Sequence, residues 1–115
     1  MTRYQEIYTF EERLAEATNV RNKFPDRVPV IVETIPKTSY KQLDKSKYLV
    51  PQDLSLGKFI YVIRKRLQLK PEQSLFVFIG KEAPPTGELM SNLYAKHKKD
   101  DGFLYLLYGT EDTFG

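Results

Sequence analysis

The residues best placed to do chemistry lie in one stretch, Leu43-Asp44-Lys45-Ser46-Lys47-Tyr48-Leu49-Val50-Pro51, and that chemistry is recognition. Side chains alternate along a strand, so Lys45, Lys47 and Leu49 point to one side and Tyr48 and Val50 to the other. Pro51 lacks an N–H and would interrupt a ladder, which favours the edge of a sheet. An edge leaves N–H and C=O groups unpaired, and lysines are a common protection against unwanted pairing there. The same edge can accept an extended peptide as an added strand. Both readings, a protected edge and a receptive one, are open at this point.

Bond-breaking chemistry is poorly supplied. The chain has no cysteine and one histidine, His97, set in the run Lys96-His97-Lys98-Lys99. That leaves no nucleophile–base pair of the usual kinds, no thiolate metal site and no disulfide framework. A lone histidine makes a poor metal ligand, and the run reads as a helix C-terminus carrying favourable charges. No glycine-rich phosphate loop is present. The expectation is a protein that is not an enzyme and needs neither metal nor cofactor.

The wider composition agrees with a binding module. The 115 residues are 41% hydrophobic and 29% charged, enough for one domain with a real core. No apolar run approaches the ~20 residues needed to span a bilayer, and no signal-peptide pattern opens the chain, so a cytoplasmic or nuclear location is expected. The net charge of +3 is unevenly spread: residues 28–70 hold nine basic and three acidic side chains, and residues 71–115 hold four and seven. The middle third can attract acidic partners. Its cations are dispersed, without an aromatic stacking motif, which speaks against nucleic acid.

The elements that must position the edge follow from pattern. Thr9 and Glu12 form a capping-box pair ahead of Phe10, Leu14, Ala17, Val20 and Phe24 at helical spacing, and Pro25 ends that helix. Strands are expected at Val28 to Glu33, Lys47 to Val50, Leu75 to Ile79 and Phe103 to Tyr108. The run Leu75 to Ile79 reads as a central strand buried on both faces. Ser55 caps a helix from Leu56 to Leu67, with Leu56, Phe59, Ile60, Ile63 and Leu67 as its buried stripe and Arg64, Lys65 and Arg66 at its negative end. A short helix through Leu89, Met90, Leu93 and Tyr94 follows Pro84-Pro85-Thr86, with Tyr94 a packing residue. The order fits an α+β fold: a ubiquitin-like β-grasp, with a mixed four-stranded sheet around a central helix. Residues 1–27 would form an N-terminal helical extension packed on the core. Residues 28–115 would form the β-grasp domain, with a flexible tail ending in Gly115.

The sequence resembles the autophagy ubiquitin-like modifier family, and within it the GABARAP-type branch. The resemblance is carried by Phe24-Pro25-Asp26-Arg27-Val28-Pro29-Val30-Ile31-Val32-Glu33, by Leu43 to Pro51 with Asp53-Leu54 and Gly57, and by Phe59 to Leu67. It continues through Pro84-Pro85-Thr86, Leu93-Tyr94, Asp101-Gly102-Phe103-Leu104-Tyr105 and Phe114-Gly115. Departures are few: Thr9 stands where the family usually has proline, and Glu12 and Leu14 stand where basic residues are common.

The resemblance implies a modifier acted on by enzymes. Gly115 would be activated by a ubiquitin-activating-like enzyme, passed to a conjugating-like enzyme and joined to phosphatidylethanolamine. A processing and deconjugating cysteine protease would act at the carbonyl of the same glycine. Glycine suits this, since a carbonyl without a neighbouring Cβ is unhindered. The resemblance further implies binding of an aromatic-x-x-aliphatic motif beside the Lys47–Val50 edge, in cargo receptors and autophagy adaptors. Glu16, Val20, Pro29, Ile31, Lys47, Leu49 and Phe103 would take the aromatic. Tyr48, Val50, Pro51, Leu54, Phe59 and Val62 would take the aliphatic. Arg27, Lys45, Lys47 and Arg66 would meet acidic residues flanking the motif. Some relatives use a segment matching Phe76-Val77-Phe78 for helical ubiquitin-interacting motifs, though here a core role is favoured. A monomer in solution is expected, cytoplasmic until lipidation brings it to the autophagosome membrane. The competing reading is an unconjugated adaptor in vesicle trafficking or cytoskeletal attachment.

Overall fold

Two reciprocal side-chain caps open the chain. In the computed structural model, which describes residues 2–35, 43 and 45–110, Thr2 and Gln5 exchange hydrogen bonds at the start of helix α1 (Arg3–Ile7). Thr9 and Glu12 repeat the exchange at the start of α2 (Phe10–Lys23), as their spacing predicts. Helix α1 lies within the helical extension expected over residues 1–27, though five residues carry too little periodicity to mark it as a separate element. Helix α2 packs through Ala17 and Val20, while Phe10, Leu14 and Phe24 stay between 38% and 42% exposed. It ends ahead of Phe24, the residue that Pro25 holds out of the α region.

Four strands follow: β1 (Arg27–Thr34), β2 (Lys47–Pro51), β3 (Leu75–Phe78) and β4 (Leu104–Thr110). They lie in the order β2-β1-β4-β3, with β1 and β4 parallel and the two outer pairs antiparallel. This mixed sheet is the expected β-grasp arrangement, and β2 is at an edge as Pro51 predicts. The expected central position of Leu75 to Ile79 is incorrect. Strand β3 forms the opposite edge, with Phe76 40% exposed, and β4 occupies the centre. A short apolar run does not reveal how many neighbours a strand has, and the longer run of β4 wins the interior.

Residue parity divides the sheet into two faces. Val28, Val30 and Val32 of β1, with Tyr48 and Val50 of β2, turn toward helix α3 (Leu56–Leu67) and helix α4 (Met90–His97). Ile31, Phe103 and Tyr105 turn the other way and pack with Tyr4 of α1 and Ala17 of α2. Ser55 accepts from the Lys58 N–H and starts α3, whose Leu56, Phe59, Ile63 and Leu67 are each at most 2% exposed, with Ile60 partly buried beside them. Burial of each is worth roughly 1.5–3 kcal/mol. The last turn of α3 carries Arg64, Lys65 and Arg66, favourable against the helix dipole.

The starts of α3 and α4 cap one another through the backbone. Leu56 and Gly57 donate N–H bonds to the carbonyls of Glu88 and Thr86, and Met90 and Ser91 donate to those of Leu54 and Gln52. The first amides of each helix, which have no partner inside it, are thereby satisfied. The exchange also pins Leu54 beside β2. On the other face, Gly102 takes a positive φ of 87° where the chain passes under α2. A Cβ there would lie 2.9 Å from that of Ala17, so glycine answers both backbone shape and space.

Candidate peptide-recognition site

The site grows from the hydrogen-bond phase of β2. Val32 donates its N–H to Ser46 at 2.8 Å. In an antiparallel pair, bonded and non-bonded positions alternate, so Tyr48 opposite Val30 and Val50 opposite Val28 share their backbone bonds with β1. Lys47 and Leu49 therefore aim their N–H and C=O groups away from the sheet. Pro29 stands opposite Leu49, a non-bonded position, so its missing N–H costs nothing to this pair. Among the described residues β2 has a strand on one side only, and the Arg27 Nη1 approaches the outward Leu49 carbonyl at 3.5 Å.

Side-chain parity then separates the predicted residues by face, except Pro51, which shares the odd-numbered side of β2 with Lys47 and Leu49 although it was expected with the aliphatic set. Pro29, Ile31, Lys47 and Leu49 share the α2 face, with Phe103 beside Ile31 and with Glu16 and Val20 above them on α2. Tyr48, Val50 and Phe59 belong to the α3 face, where the rings of Tyr48 and Phe59 meet edge-on at 5.6 Å. Leu54 is partly buried against that cluster, while Pro51 and Val62 are exposed. An extended chain along β2 could set alternate side chains on the two faces.

The aromatic side is covered in this state. Ile31 and Phe103 are fully buried, and Lys47 and Glu16 meet above the edge at 2.8 Å, with side chains 40% and 39% exposed. An aromatic ring seeking Phe103 must part this bridge or pass beneath it. So exposed a pair holds by only about 0–1 kcal/mol. A concavity of about 1040 Å³ lies beside this set, between α1 and the far ends of β1 and β4. It shares only Glu16 and Lys47 with the aromatic set.

The flanking cations fall in less regular places than strand parity implies. Lys45 precedes β2, and its ammonium sits 5.3 Å from the ring centre of Tyr48, a residue of the opposite face. The Arg66 guanidinium lies 5.5 Å from the same ring. These two exposed cations thus share one buried aromatic, each contact worth roughly 0.5–1 kcal/mol. Arg27 is exposed at the other end of the strand. Asp44 and Gly115, the expected conjugation end, lie outside the described residues.

Several residues that sequence reasoning passed over shape the aromatic side. Arg13 of α2 pairs with Asp101 at 2.9 Å, and Glu33 caps α1 by accepting from the Arg3 and Tyr4 N–H groups at 2.9 and 2.8 Å. Asp101 carried a usable signal: a carboxylate abutting the apolar strand that starts at Leu104 must find a partner if buried. Burial pushes the Tyr4 phenol up to about 12. Burial, aided by its hydrogen bond to Asp101, raises Tyr105 as well. Tyr94 is a packing residue, buried in the core, and donates to the Gly102 carbonyl at 2.6 Å, and burial raises its phenol above the usual range. Phe76 and Phe78 belong to the opposite edge strand, with Val77 the buried member of that segment. Among the described residues no three His, Asp or Glu side chains gather as a metal site.

Similarity to known proteins is extensive. The family model described as autophagy protein Atg8, ubiquitin-like, matches residues 12–115. Autophagy-related protein 8 of Coccidioides immitis is 50% identical over 114 residues, covering 99% of this chain and 97% of that protein. Its counterpart in Schizosaccharomyces pombe is 49% identical, covering 99% of this chain and 94% of the relative. The crystal structure of Trypanosoma brucei ATG8 superposes with a TM-score of 0.94 at 43% identity, over 100% of this chain and 99% of that one. Plasmodium falciparum Atg8, solved in complex with a Plasmodium falciparum Atg3 peptide, gives a TM-score of 0.87 at 30% identity, over 95% and 96%.

Proposed function

The chain belongs to the Atg8 family of ubiquitin-like autophagy proteins, and from that membership we propose that it is conjugated through Gly115 to phosphatidylethanolamine while its β2 edge captures aromatic-x-x-aliphatic peptides. It is an autophagy ubiquitin-like modifier and not itself an enzyme. The observation that carries the peptide reading is the phase of β2. Lys47 and Leu49 offer outward backbone groups, and each face beneath them holds one apolar set. The Plasmodium relative's complex with an Atg3 peptide supports a short peptide as the kind of partner.

Magnitudes define what each part contributes. Two buried anchors give roughly 1.5–3 kcal/mol each. A micromolar complex needs about 8 kcal/mol beyond the costs of association. Strand pairing at Lys47 and Leu49 and charge at Arg27, Lys45, Lys47 and Arg66 must supply the remainder. The residues proposed for the aromatic are Glu16, Val20, Pro29, Ile31, Lys47, Leu49 and Phe103. Those for the aliphatic are Tyr48, Val50, Pro51, Leu54, Phe59 and Val62. On a membrane, many copies would hold weakly bound cargo receptors and adaptors by multivalency.

Conjugation supplies the membrane hold in this account, since no helix among the described residues is long and apolar enough to cross a bilayer. The test mixes the protein with activating and conjugating enzymes of this family, ATP and phosphatidylethanolamine liposomes, beside Gly115→Ala. A liposome-bound adduct absent from Gly115→Ala supports the proposal. No adduct, with enzymes active on a relative, favours an unconjugated adaptor that uses the same peptide site.

A further inference from the structure

Behind the aromatic set lies a charge cluster that no peptide would touch. The Arg13 side chain, 12% exposed, meets the Asp101 carboxylate, 2% exposed, at 2.9 Å. The Arg13 Nη1 donates to the carbonyls of Gln5 at 3.2 Å and Tyr8 at 2.7 Å, closing the C-terminal end of α1. Asp101 accepts in turn from the Phe103 N–H at 3.0 Å and from the Tyr105 hydroxyl. The other end of α1 is held by the Glu33 carboxylate. Between these two anchors, α1 lays Tyr4 edge-on against Phe103, ring centres 5.3 Å apart.

Stability alone does not call for this arrangement. A buried ion pair is often no better than apolar residues of similar size. What this one achieves is a junction: a single guanidinium ties α1 and the neighbouring α2 to the turn that aims Phe103, 88 residues further along the chain. Its planar fork serves the carboxylate and the carbonyls together, which a lysine ammonium cannot copy.

We propose that Arg13 is a positioning residue for the aromatic-anchor site: by holding Asp101 and α1 together it fixes Phe103 against its Tyr4 wall and sets the size of ring the site accepts. The proposal rests on the peptide-recognition reading above. With the junction broken, Tyr4 leaves Phe103 and the floor recedes. A phenyl anchor then loses contacts that a larger indole still reaches.

The test measures affinities of two peptides that differ only in a Trp or Phe anchor, and of a second pair that differ only in a Leu or Val aliphatic. Wild type is compared with Arg13→Met, Arg13→Lys and Glu33→Gln, each checked for a cooperative melt. The Trp-to-Phe affinity ratio is expected to rise roughly fivefold in Arg13→Met, and less in Arg13→Lys and Glu33→Gln. The Leu-to-Val ratio stays fixed, because those contacts lie on the other face of the sheet. Should Arg13→Met fail to fold, Glu33→Gln carries the test, since it loosens α1 and leaves the buried pair intact. Equal weakening of both anchors, or an unmoved ratio in every folded variant, overturns the proposal alone. Wild type that binds none of the peptides overturns the peptide-recognition reading, and this proposal with it.

Discussion

Gly102 lies so close under α2 that a β carbon at this position would stand 2.9 Å from the β carbon of Ala17. Its φ of 87° adds a second demand that only glycine meets without strain. Gly102→Ala is therefore expected to lower stability by about 2 kcal/mol or more, read from denaturant melts. Ala17→Gly removes the clash and leaves the φ strain, at its own cost of about 1 kcal/mol in the helix. The double variant should thus be more stable than the sum of the singles implies. Strict additivity would contradict the close contact.

Alkaline stability should fall in a defined window. Burial raises the Tyr4 phenol from 10.0 to about 12, and burial also raises Tyr105 and Tyr94. Below pH 10 folded and unfolded chains are both protonated, and the full stability is present. Above it the unfolded chain loses these protons first, so stability is lost as pH rises toward the folded values, by about 1.4 kcal/mol per pH unit for each tyrosine. Tyr4→Phe should flatten the slope between pH 10 and 12 in pH-dependent melts. An unchanged slope would show that Tyr4 titrates normally.

The Glu16–Lys47 bridge covers the aromatic side at little energetic gain. Glu16→Gln should change stability by less than about 1 kcal/mol. It frees Lys47 for an acidic residue of the peptide, so peptides with acidic flanks should bind a few-fold tighter in calorimetry. Weaker binding of such peptides would contradict the covering role.

Lys45 and Arg66 share the Tyr48 ring, at 5.3 and 5.5 Å. Lys45→Ala and Arg66→Ala are each expected to weaken acidic-flanked peptides by roughly two- to fivefold at low salt. The loss should shrink as salt rises, and peptides with neutral flanks should be indifferent. A salt-independent loss would point to packing on Tyr48 in place of charge.

How much of this was legible beforehand depended on whether the cause was local. Pro51 and the alternation from Lys47 to Val50 announced an edge strand, because a missing N–H and a period of two are properties of neighbouring residues. Thr9 with Glu12, and Ser55, announced helix starts for the same reason. Phe76 misled because its apolar neighbours reveal nothing about how many strands flank them. Asp101 signalled the need for a partner, but its pairing with Arg13, 88 residues away, was invisible since only the folded chain brings the two together. Lys45 fell outside the alternation because the strand begins at Lys47.

The most direct test of the account follows amide hydrogen exchange by NMR, with and without a saturating aromatic-x-x-aliphatic peptide. The amides of Tyr48 and Val50 face β1 and should be protected in both states. Those of Lys47 and Leu49 face outward and should become protected only when peptide is bound. Binding that leaves Lys47 and Leu49 exchanging freely, or that protects Leu75–Phe78 at the opposite edge, would contradict strand addition at β2.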